Sequence, residues 1–311
     1  MTERVDFAAL TARAMAQSGR GHMRPVIEKE LLHYDILFGL DRDGLLDELT
    51  FQGGTALRLC YGSPRFSEAL DFAGGRDFSR ARVDGIRAAL ETYIGQRYGL
   101  EVIVREPAEL VNDPGYRGIH VDTWQIAIIT APTRPDVPRQ RIKLEIANVE
   151  AYSRQPRSLS LNYDFLPDGY GDTLVLTESL DEIMADKLVL LVNNQRYVRH
   201  RDIWDLRWLK QQGAAVNLGW VANKIEDYRI TDYRARLDDL RTRLPAIVRS
   251  AAFAQEMNRF LPAEVQQRTL AKPKFLDFLA SEIDGLLTTV RRQPQGSDQA
   301  NPLNWNGFAR K

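Results

Sequence analysis

GGTALRLCYGSPRFSEALDF, at residues 53–72, is the most informative run of this 311-residue chain. Gly53 and Gly54 allow a tight turn, and the residues from Thr55 onward have the spacing of a short helix. Unpaired N–H groups at the start of a helix attract anions, and a threonine hydroxyl adds a donor. The run therefore predicts a phosphate-binding turn, although the Gly-Gly-Thr triplet taken alone favours an ordinary glycine turn before a helix.

The end of the same run predicts a β-strand over residues 65–72. Side chains alternate between the faces of a strand, so Ala69 and Asp71 share one face while Leu70 and Phe72 point into the core. Asp71 then lies on the side of the glycine turn. Two carboxylates at positions 69 and 71 would hold a magnesium ion against a triphosphate, but the chain supplies only Asp71.

Hydrophobic periodicity divides the rest of the chain into a mixed part and a helical part. In the first part we expect helices over 24–40 and 83–98 and strands over 101–105, 119–130 and 139–149, the last two being paired. After a loop at 152–173 we expect only helices, over 179–194, 202–212, 217–226, 231–242, 245–260 and 273–292. The sequence thus predicts an α/β lobe with a mixed sheet at 1–170, an all-helical lobe at 171–292 and a disordered tail at 293–311.

Composition excludes several classes of protein. The 42 basic and 42 acidic side chains balance, so no net charge draws the chain to nucleic acid and anion binding must be local. No apolar run approaches the roughly 20 residues that span a bilayer, and the N-terminal residues lack the pattern of a secretory signal. Cys60 has no second cysteine to pair with, and the histidines lack metal-ligand spacing. We expect a cytoplasmic protein with no membrane contact.

A later strand carries another candidate carboxylate. In RIKLEIANV, Arg141, Lys143 and Glu145 share one face of the strand, and the apolar residues between them share the other. Two interpretations stay open at this point. Glu145 contributes to a site, or the strand is half-buried with a solvated, charged face.

Charged residues also interrupt the apolar faces of two helices. Lys187 lies near the centre of an apolar stripe, and an unpaired buried ammonium is costly. It must snorkel outward, pair with a carboxylate, or reach a cleft and meet phosphate oxygens. Asp202 and Asp205 face inward from the next helix. Asp205 could orient Lys187 or an acceptor hydroxyl, or form a core salt bridge with Lys187 or Arg201.

These motifs resemble the AbiEii/AbiGii-type toxins, a nucleotidyltransferase-like family in which a Gly-Gly-Ser/Thr turn precedes an Arg-x-Ser-x-Asp-x-Asp strand. Arg65, Ser67 and Asp71 match this pattern, and Ala69 stands where the family has its first aspartate. The resemblance covers most of residues 25–210. It implies a nucleotidyltransferase-like mixed-sheet lobe followed by an all-helical C-terminal lobe, with the nucleotide in the cleft between them.

The resemblance also implies roles for single residues. The metal would be Mg²⁺, with Asp71 and Glu145 as its ligands. The implied nucleotide-binding residues are Gly53, Gly54, Thr55, Arg65, Ser67, Lys143 and Lys187. The implied catalytic positions are Ala69, Asp71, Glu145, Lys187 and Asp205.

By the same resemblance, the expected function is that of a toxin in a toxin–antitoxin pair. It would transfer a nucleotide from a nucleoside triphosphate to an RNA acceptor and thereby block translation. The first candidate for the acceptor is the 3′ end of tRNA. Its cognate antitoxin can act without stable contact. The alternatives are a non-catalytic nucleotide- or RNA-binding regulator on a decayed transferase fold, and transfer to a protein or small-molecule hydroxyl.

Ala69 is the one departure from the family pattern. Either the chain is a naturally degenerate member of the family, or the residue was changed deliberately, and the sequence is compatible with both. In either case the loss of a metal-binding carboxylate predicts a catalytically impaired protein.

Overall fold

The computed structural model describes residues 4–17, 19–107, 120–134, 136–194 and 196–292. Seven strands within these ranges form one mixed sheet in the order β3-β4-β5-β2-β1-β7-β6. The strands are β1 Thr50–Gln52, β2 Leu70–Ala73, β3 Val102–Arg105, β4 Val121–Ile128, β5 Gln140–Ala147, β6 Gln155–Ser158 and β7 Leu174–Thr177. Strand β2 runs parallel to β5 and antiparallel to β1, so these three form the centre of the sheet.

Helices pack against the sheet and make up nearly all of the C-terminal part. They are α1 Phe7–Met15, α2 Arg24–Arg42, α3 Gly53–Tyr61, α4 Ile86–Tyr98, α5 Leu180–Asn193, α6 His200–Gln211, α7 Leu218–Asp227, α8 Tyr233–Val248, α9 Ala251–Phe260, α10 Ala263–Arg268 and α11 Pro273–Arg291. None of those in the described ranges is both long enough and apolar enough to cross a membrane.

The central strands are apolar on one face and polar on the other. Leu70 and Phe72 of β2 and Leu144 and Ile146 of β5 are buried, and α2 packs against β5. This alternation was predicted, because a half-buried strand repeats every two residues. The buried residues of the sheet and of the C-terminal helices belong to one continuous cluster. The two parts of the chain therefore share a core.

Strand β2 is shorter than predicted. Residues 65–69 lie outside the sheet, and β2 begins only at Leu70. The reason is a different set of partners: the backbone N–H of Phe66 donates to the carbonyl of Phe260 at the end of α9, 2.9 Å away. The expected alternation nevertheless holds at the end of this segment, where Ala69 and Asp71 both face a cavity.

The expectation of helices alone after residue 173 is wrong. Strand β7 lies beside β1 in parallel, with Phe51 and Thr177 as register partners, so the sheet extends past residue 170. Strand β6 lies inside the expected loop and pairs with β7. Both strands have only four residues. The sequence of β6, QPRS, is polar throughout and that of β7, LVLT, is apolar at its first three positions, so neither sequence alternates between apolar and polar residues.

Two helix boundaries also differ from the prediction. The segment predicted as one helix over 83–98 begins as a 3₁₀ turn, and α4 starts at Ile86. The predicted break between 242 and 245 is absent, because α8 continues through Pro245 to Val248. Leu244 and Val248 extend the buried stripe of α8, so packing overrides the cost of the proline. Residue 119 and the tail predicted at 293–311 lie outside the described residues.

A buried cluster of four charges joins β7 to helices α5 and α7. Lys224 is 2% exposed, and its Nζ lies 2.9 Å from Asp186 Oδ2, 3.0 Å from Glu182 Oε1 and 3.4 Å from Glu178 Oε1. Three carboxylates that are close enough to hold a cation thus surround the ammonium of Lys224. We name Glu178, Glu182, Asp186 and Lys224 the lysine-centred cluster.

The lysine-centred cluster makes a prediction for stability. Lys224→Met leaves three buried carboxylates without their cation, and removal of one partner from a buried ion pair costs about 3–5 kcal/mol. Lys210→Met is the matched control, because Lys210 pairs with Glu282 at the surface, where an ion pair contributes about 0–1 kcal/mol. Urea unfolding measures both changes in the free energy of unfolding. Equal losses in the two variants would contradict the structural role assigned to Lys224.

Candidate active site

The polar face of the central strands forms the floor of a cavity of about 1210 Å³, and helices α5, α6, α8 and α9 contribute to its walls. A cavity of this volume exceeds the roughly 300–1,000 Å³ typical of small-molecule sites, so it has room for more than one reactant. The predicted site residues that line it are Gly53, Gly54, Arg65, Ser67, Ala69, Asp71, Lys143, Glu145 and Lys187. Thr55 and Asp205 do not line it.

Asp71 and Glu145 lie side by side on the floor of the cavity. They are register partners on the parallel strands β2 and β5, so their side chains project from the same face of the sheet. Burial, reinforced by the negative charge of Glu145, raises the pKa of Asp71 to about 6. Two adjacent carboxylates are a suitable oxygen donor set for a hard divalent cation.

The glycine turn fits closely around these carboxylates and the residues before β2. Gly53 has a φ of 76°, and a Cβ at this position would lie 2.9 Å from Asp71 Oδ2. A Cβ at Gly54 would collide with Arg65 Nη2 and lie 3.0 Å from Ser67 Oγ. Both glycines are therefore required by the space available, and not merely by the turn. Helix α3 starts here, so its first N–H groups lie beside Asp71.

A second buried network of ion pairs lies against the glycine turn at Gly54. The Nε and Nη2 atoms of Arg65 donate to the two carboxylate oxygens of Asp205, each at 2.6 Å. Lys187 Nζ lies 2.8 Å from Asp205 Oδ2 and 2.8 Å from Asp202 Oδ1, and Arg199 donates to the other oxygen of Asp202. We name these five residues the Arg65–Asp205 network.

The charges in this network hold one another ionised. Burial alone would raise the pKa values of Asp202 and Asp205, but their cationic partners keep the pKa of Asp202 well below its usual range and lower that of Asp205. Burial alone would lower the pKa of Lys187, but the two aspartates raise it. Three cations face two carboxylates, so the network leaves one positive charge beside the cavity.

The network decides between the structural alternatives for Lys187 and Asp205. Lys187 pairs with both aspartates, and its side chain borders the cavity without projecting freely into it. Asp205 is fully buried and forms salt bridges with Arg65 and Lys187, whereas Arg201 pairs with Glu68 and Glu256. A direct contact of Lys187 or Asp205 with substrate stays a prediction.

Three other predicted residues differ in whether their side chains already have a partner within the protein. The hydroxyl of Thr55 donates to the carbonyl of Ala69 and so joins α3 to the start of β2. Lys143 is mostly exposed, with its Nζ 3.6 Å from Glu145 Oε1. Ser67 faces the cavity beneath Gly54. Lys143 and Ser67 are placed to meet a ligand, and Thr55 has a structural partner instead.

Several residues at the cavity were not predicted from the sequence. Gln52 and Asp186 are two of them. Glu182 and Asp186 are four residues apart on α5, a spacing that places both acids on one helix face, and Glu178 lies just before that helix, so this spacing could have revealed the cluster. Lys224, which neutralises them, is distant in sequence and carries no such signal.

The raised pKa of Asp71 can be tested directly. In metal-free protein, carboxyl-carbon NMR should show a titration midpoint near 6 that is absent from Asp71→Asn. Because the pKa is raised on folding, Asp71 favours the folded state below about 4, and this contribution is lost as the pH rises through about 6. Glu145→Gln removes the neighbouring negative charge and should lower the midpoint. An unchanged midpoint in Glu145→Gln would contradict the coupling between the two carboxylates.

Comparison with known proteins agrees with this geometry. Residues 35–281 match the family model of the nucleotidyl transferase AbiEii toxin of type IV toxin–antitoxin systems. No curated protein gives a significant match. The fold is similar to that of the nucleotidyltransferase toxin MenT4 from Mycobacterium tuberculosis H37Rv, with a TM-score of 0.52 and 16% identity over 92% of this chain and 99% of that one.

A further similar structure is JHP933 from Helicobacter pylori, with a TM-score of 0.49 and 19% identity over 86% of this chain and 91% of that one. The predicted fold, a mixed sheet followed by C-terminal helices, is confirmed by the sheet itself and by the similarity to MenT4. The family match spans most of the sequence. The chain therefore belongs to the AbiEii family of nucleotidyl transferase toxins, which makes it a transferase with a nucleoside triphosphate substrate and an antitoxin partner.

Proposed function

We propose that this toxin transfers a nucleotide from a nucleoside triphosphate to an RNA acceptor and thereby blocks translation. The first candidate for the acceptor is the 3′ end of tRNA. The observation that carries the proposal is the placement of Asp71 and Glu145 side by side next to the glycine turn, in one cavity. A turn that binds phosphate, two carboxylates and space for an acceptor are the parts that nucleotide transfer requires.

Mg²⁺ is the metal proposed for Asp71 and Glu145. Their oxygens suit a hard cation, and the cluster around Lys224 is less suitable because an ammonium already lies within 3.4 Å of all three of its carboxylates. When bound, the cation would neutralise the triphosphate and lower the pKa of the acceptor hydroxyl.

The residues of the chain would share the remaining work. The first N–H groups of α3, together with Ser67 and Lys143, would bind the phosphates. The acceptor hydroxyl would attack the α-phosphorus, the bond to the bridging oxygen would break, and pyrophosphate would leave. The hydroxyl proton would pass to a carboxylate, for which Glu145 is the candidate. Lys187 and Asp205 would act through Arg65, which supports Gly54 from below.

The outer wall of the cavity suits an RNA acceptor. Its cationic residues can contact phosphates, and Tyr197, which is 60% exposed, offers a ring on which a base can stack. The cationic residues that line it are Lys29, Arg141, Lys143, Arg199, Arg201 and Arg243. This local charge fits a chain with no net charge. The proposal places the protein in the cytoplasm, with an antitoxin that acts without stable contact.

Ala69 makes the first prediction about activity. Its side chain faces the cavity beside Asp71, so Ala69→Asp adds a carboxylate that can bind the metal. We expect nucleotide transfer and toxicity to rise by at least tenfold, the effect of about 1.4 kcal/mol on the barrier. Transfer should be measured with Mg²⁺ and each of the four triphosphates. Equal activity in the two forms would contradict the view that this position limits catalysis.

The acceptor is tested by labelling. The Ala69→Asp form is incubated with α-³²P-labelled triphosphates and total RNA, and Ala69→Asp combined with Asp71→Asn is the matched control. We expect the label at the 3′ end of tRNA in the first reaction and none in the second. Label on protein or small molecules would replace the proposed acceptor, and nucleotide binding without transfer by either form would favour the non-catalytic regulator.

A further inference from the structure

Gln52 ends strand β1 directly opposite Asp71. The two residues are register partners on antiparallel strands, so their side chains leave the same face of the sheet, and both line the cavity. Together with Glu145 on β5, they form a row of three oxygen-bearing side chains across three adjacent strands. Gln52 is thus placed as closely to Asp71 in the sheet as Glu145 is, but from the opposite side.

The side-chain oxygen of Gln52 has no partner. Oε1 is buried, and no donor in the described part of the chain hydrogen-bonds to it. Buried polar atoms are nearly always satisfied, and an unsatisfied one lowers stability. An oxygen in this condition beside Asp71, in a row that ends at Glu145, is therefore suited to a cation that is bound only when the site is loaded. An amide oxygen is a normal ligand for hard divalent cations.

We propose that Gln52 is a third oxygen ligand of the divalent metal at Asp71 and Glu145. The inference rests on the proposed function, since it needs a metal at those two carboxylates. It also gives Ala69 a context: alanine removes one oxygen from one side of Asp71, and Gln52 offers a neutral oxygen from the adjacent strand. A site with two carboxylates and one amide binds a cation more weakly than one with three carboxylates, but it remains a site.

A competing role for Gln52 is to orient Asp71. A glutamine amide can present either its oxygen or its NH₂ group, and the NH₂ group could donate to the carboxylate of Asp71. The two roles make opposite demands on metal-free protein. If Gln52 is a ligand, its removal eliminates an unsatisfied buried oxygen. If Gln52 is a donor to Asp71, its removal breaks a charge-assisted hydrogen bond.

The experiment is an Mn²⁺ titration of the full chain without nucleotide, followed by the electron paramagnetic resonance signal of free Mn²⁺. Gln52→Leu should weaken binding about tenfold or more, which is the scale on which groups around a metal alter its affinity. Gln125→Leu is the matched control, because Gln125 is an exposed glutamine on β4, and it should bind Mn²⁺ as the unsubstituted protein does. Unweakened binding in Gln52→Leu would overturn the proposal.

Thermal unfolding without metal separates the two roles. Gln52→Leu should unfold at the same temperature as the parent chain or higher, and it should lose most of the upward shift that Mn²⁺ produces. A lower unfolding temperature without metal would overturn ligation in favour of the donor role. Gln52→Glu keeps an oxygen in place and guards against misfolding of the leucine variant: it should bind Mn²⁺ more tightly, and weaker binding would count against the proposal.

Asp71→Asn and Glu145→Gln distinguish failure of this inference from failure of the proposed function. If both variants bind Mn²⁺ as the parent chain does, the proposed metal site is wrong, and the proposed role of Gln52 is rejected with it. If both lose Mn²⁺ and Gln52→Leu retains it, the metal site stands and only the role of Gln52 is rejected.

Discussion

The two-point salt bridge between Arg65 and Asp205 is the interaction on which the site depends. It joins the extended segment before β2 to helix α6 in a place from which water is excluded. A buried ion pair offsets its desolvation cost only with good geometry and further hydrogen bonds. Arg65 also donates to the carbonyl of Phe66, and Asp205 also pairs with Lys187. Removing one member of the pair would leave an uncompensated buried charge. The pair also ties the segment before the sheet to the helical part of the chain and holds Arg65 against Gly54.

The same network controls the charge of the cavity. Burial and Glu145 raise the pKa of Asp71, while Arg199 and Lys187 oppose that rise. The lysine-centred cluster has the opposite balance, with three carboxylates around one ammonium, and burial together with Asp186 raises the pKa of Glu178 well above its usual range. A positive and a negative cluster thus border a single cavity. This arrangement binds charged groups locally in a chain whose total charge is zero.

The sequence predicted the parts of this structure that depend on short-range periodicity. The alternation of β2 and β5, the glycine pair that opens α3 and the inward-facing Lys187, Asp202 and Asp205 are all local patterns. The partners of these residues were less accessible. Arg65 meets Asp205 across 140 positions and Lys224 meets Glu178 across 46, and no local pattern specifies such pairs. Strand β7 was missed for a related reason, since four residues paired to β1 are defined by their neighbour in the sheet.

The electrostatics of the floor give alanine at position 69 a physical meaning beyond a lost ligand. Asp71 already has a raised pKa because it is buried next to Glu145, and each added carboxylate on that face would increase the repulsion in the metal-free state. A full set of acids is therefore favourable only while a cation is bound. In the proposed metal site, alanine gives less of this repulsion and correspondingly less affinity for the cation, which is the usual opposition between the stability of a site and its activity. A neutral oxygen such as that of Gln52 lies between these extremes, because it can meet a cation without adding charge when the cation is absent.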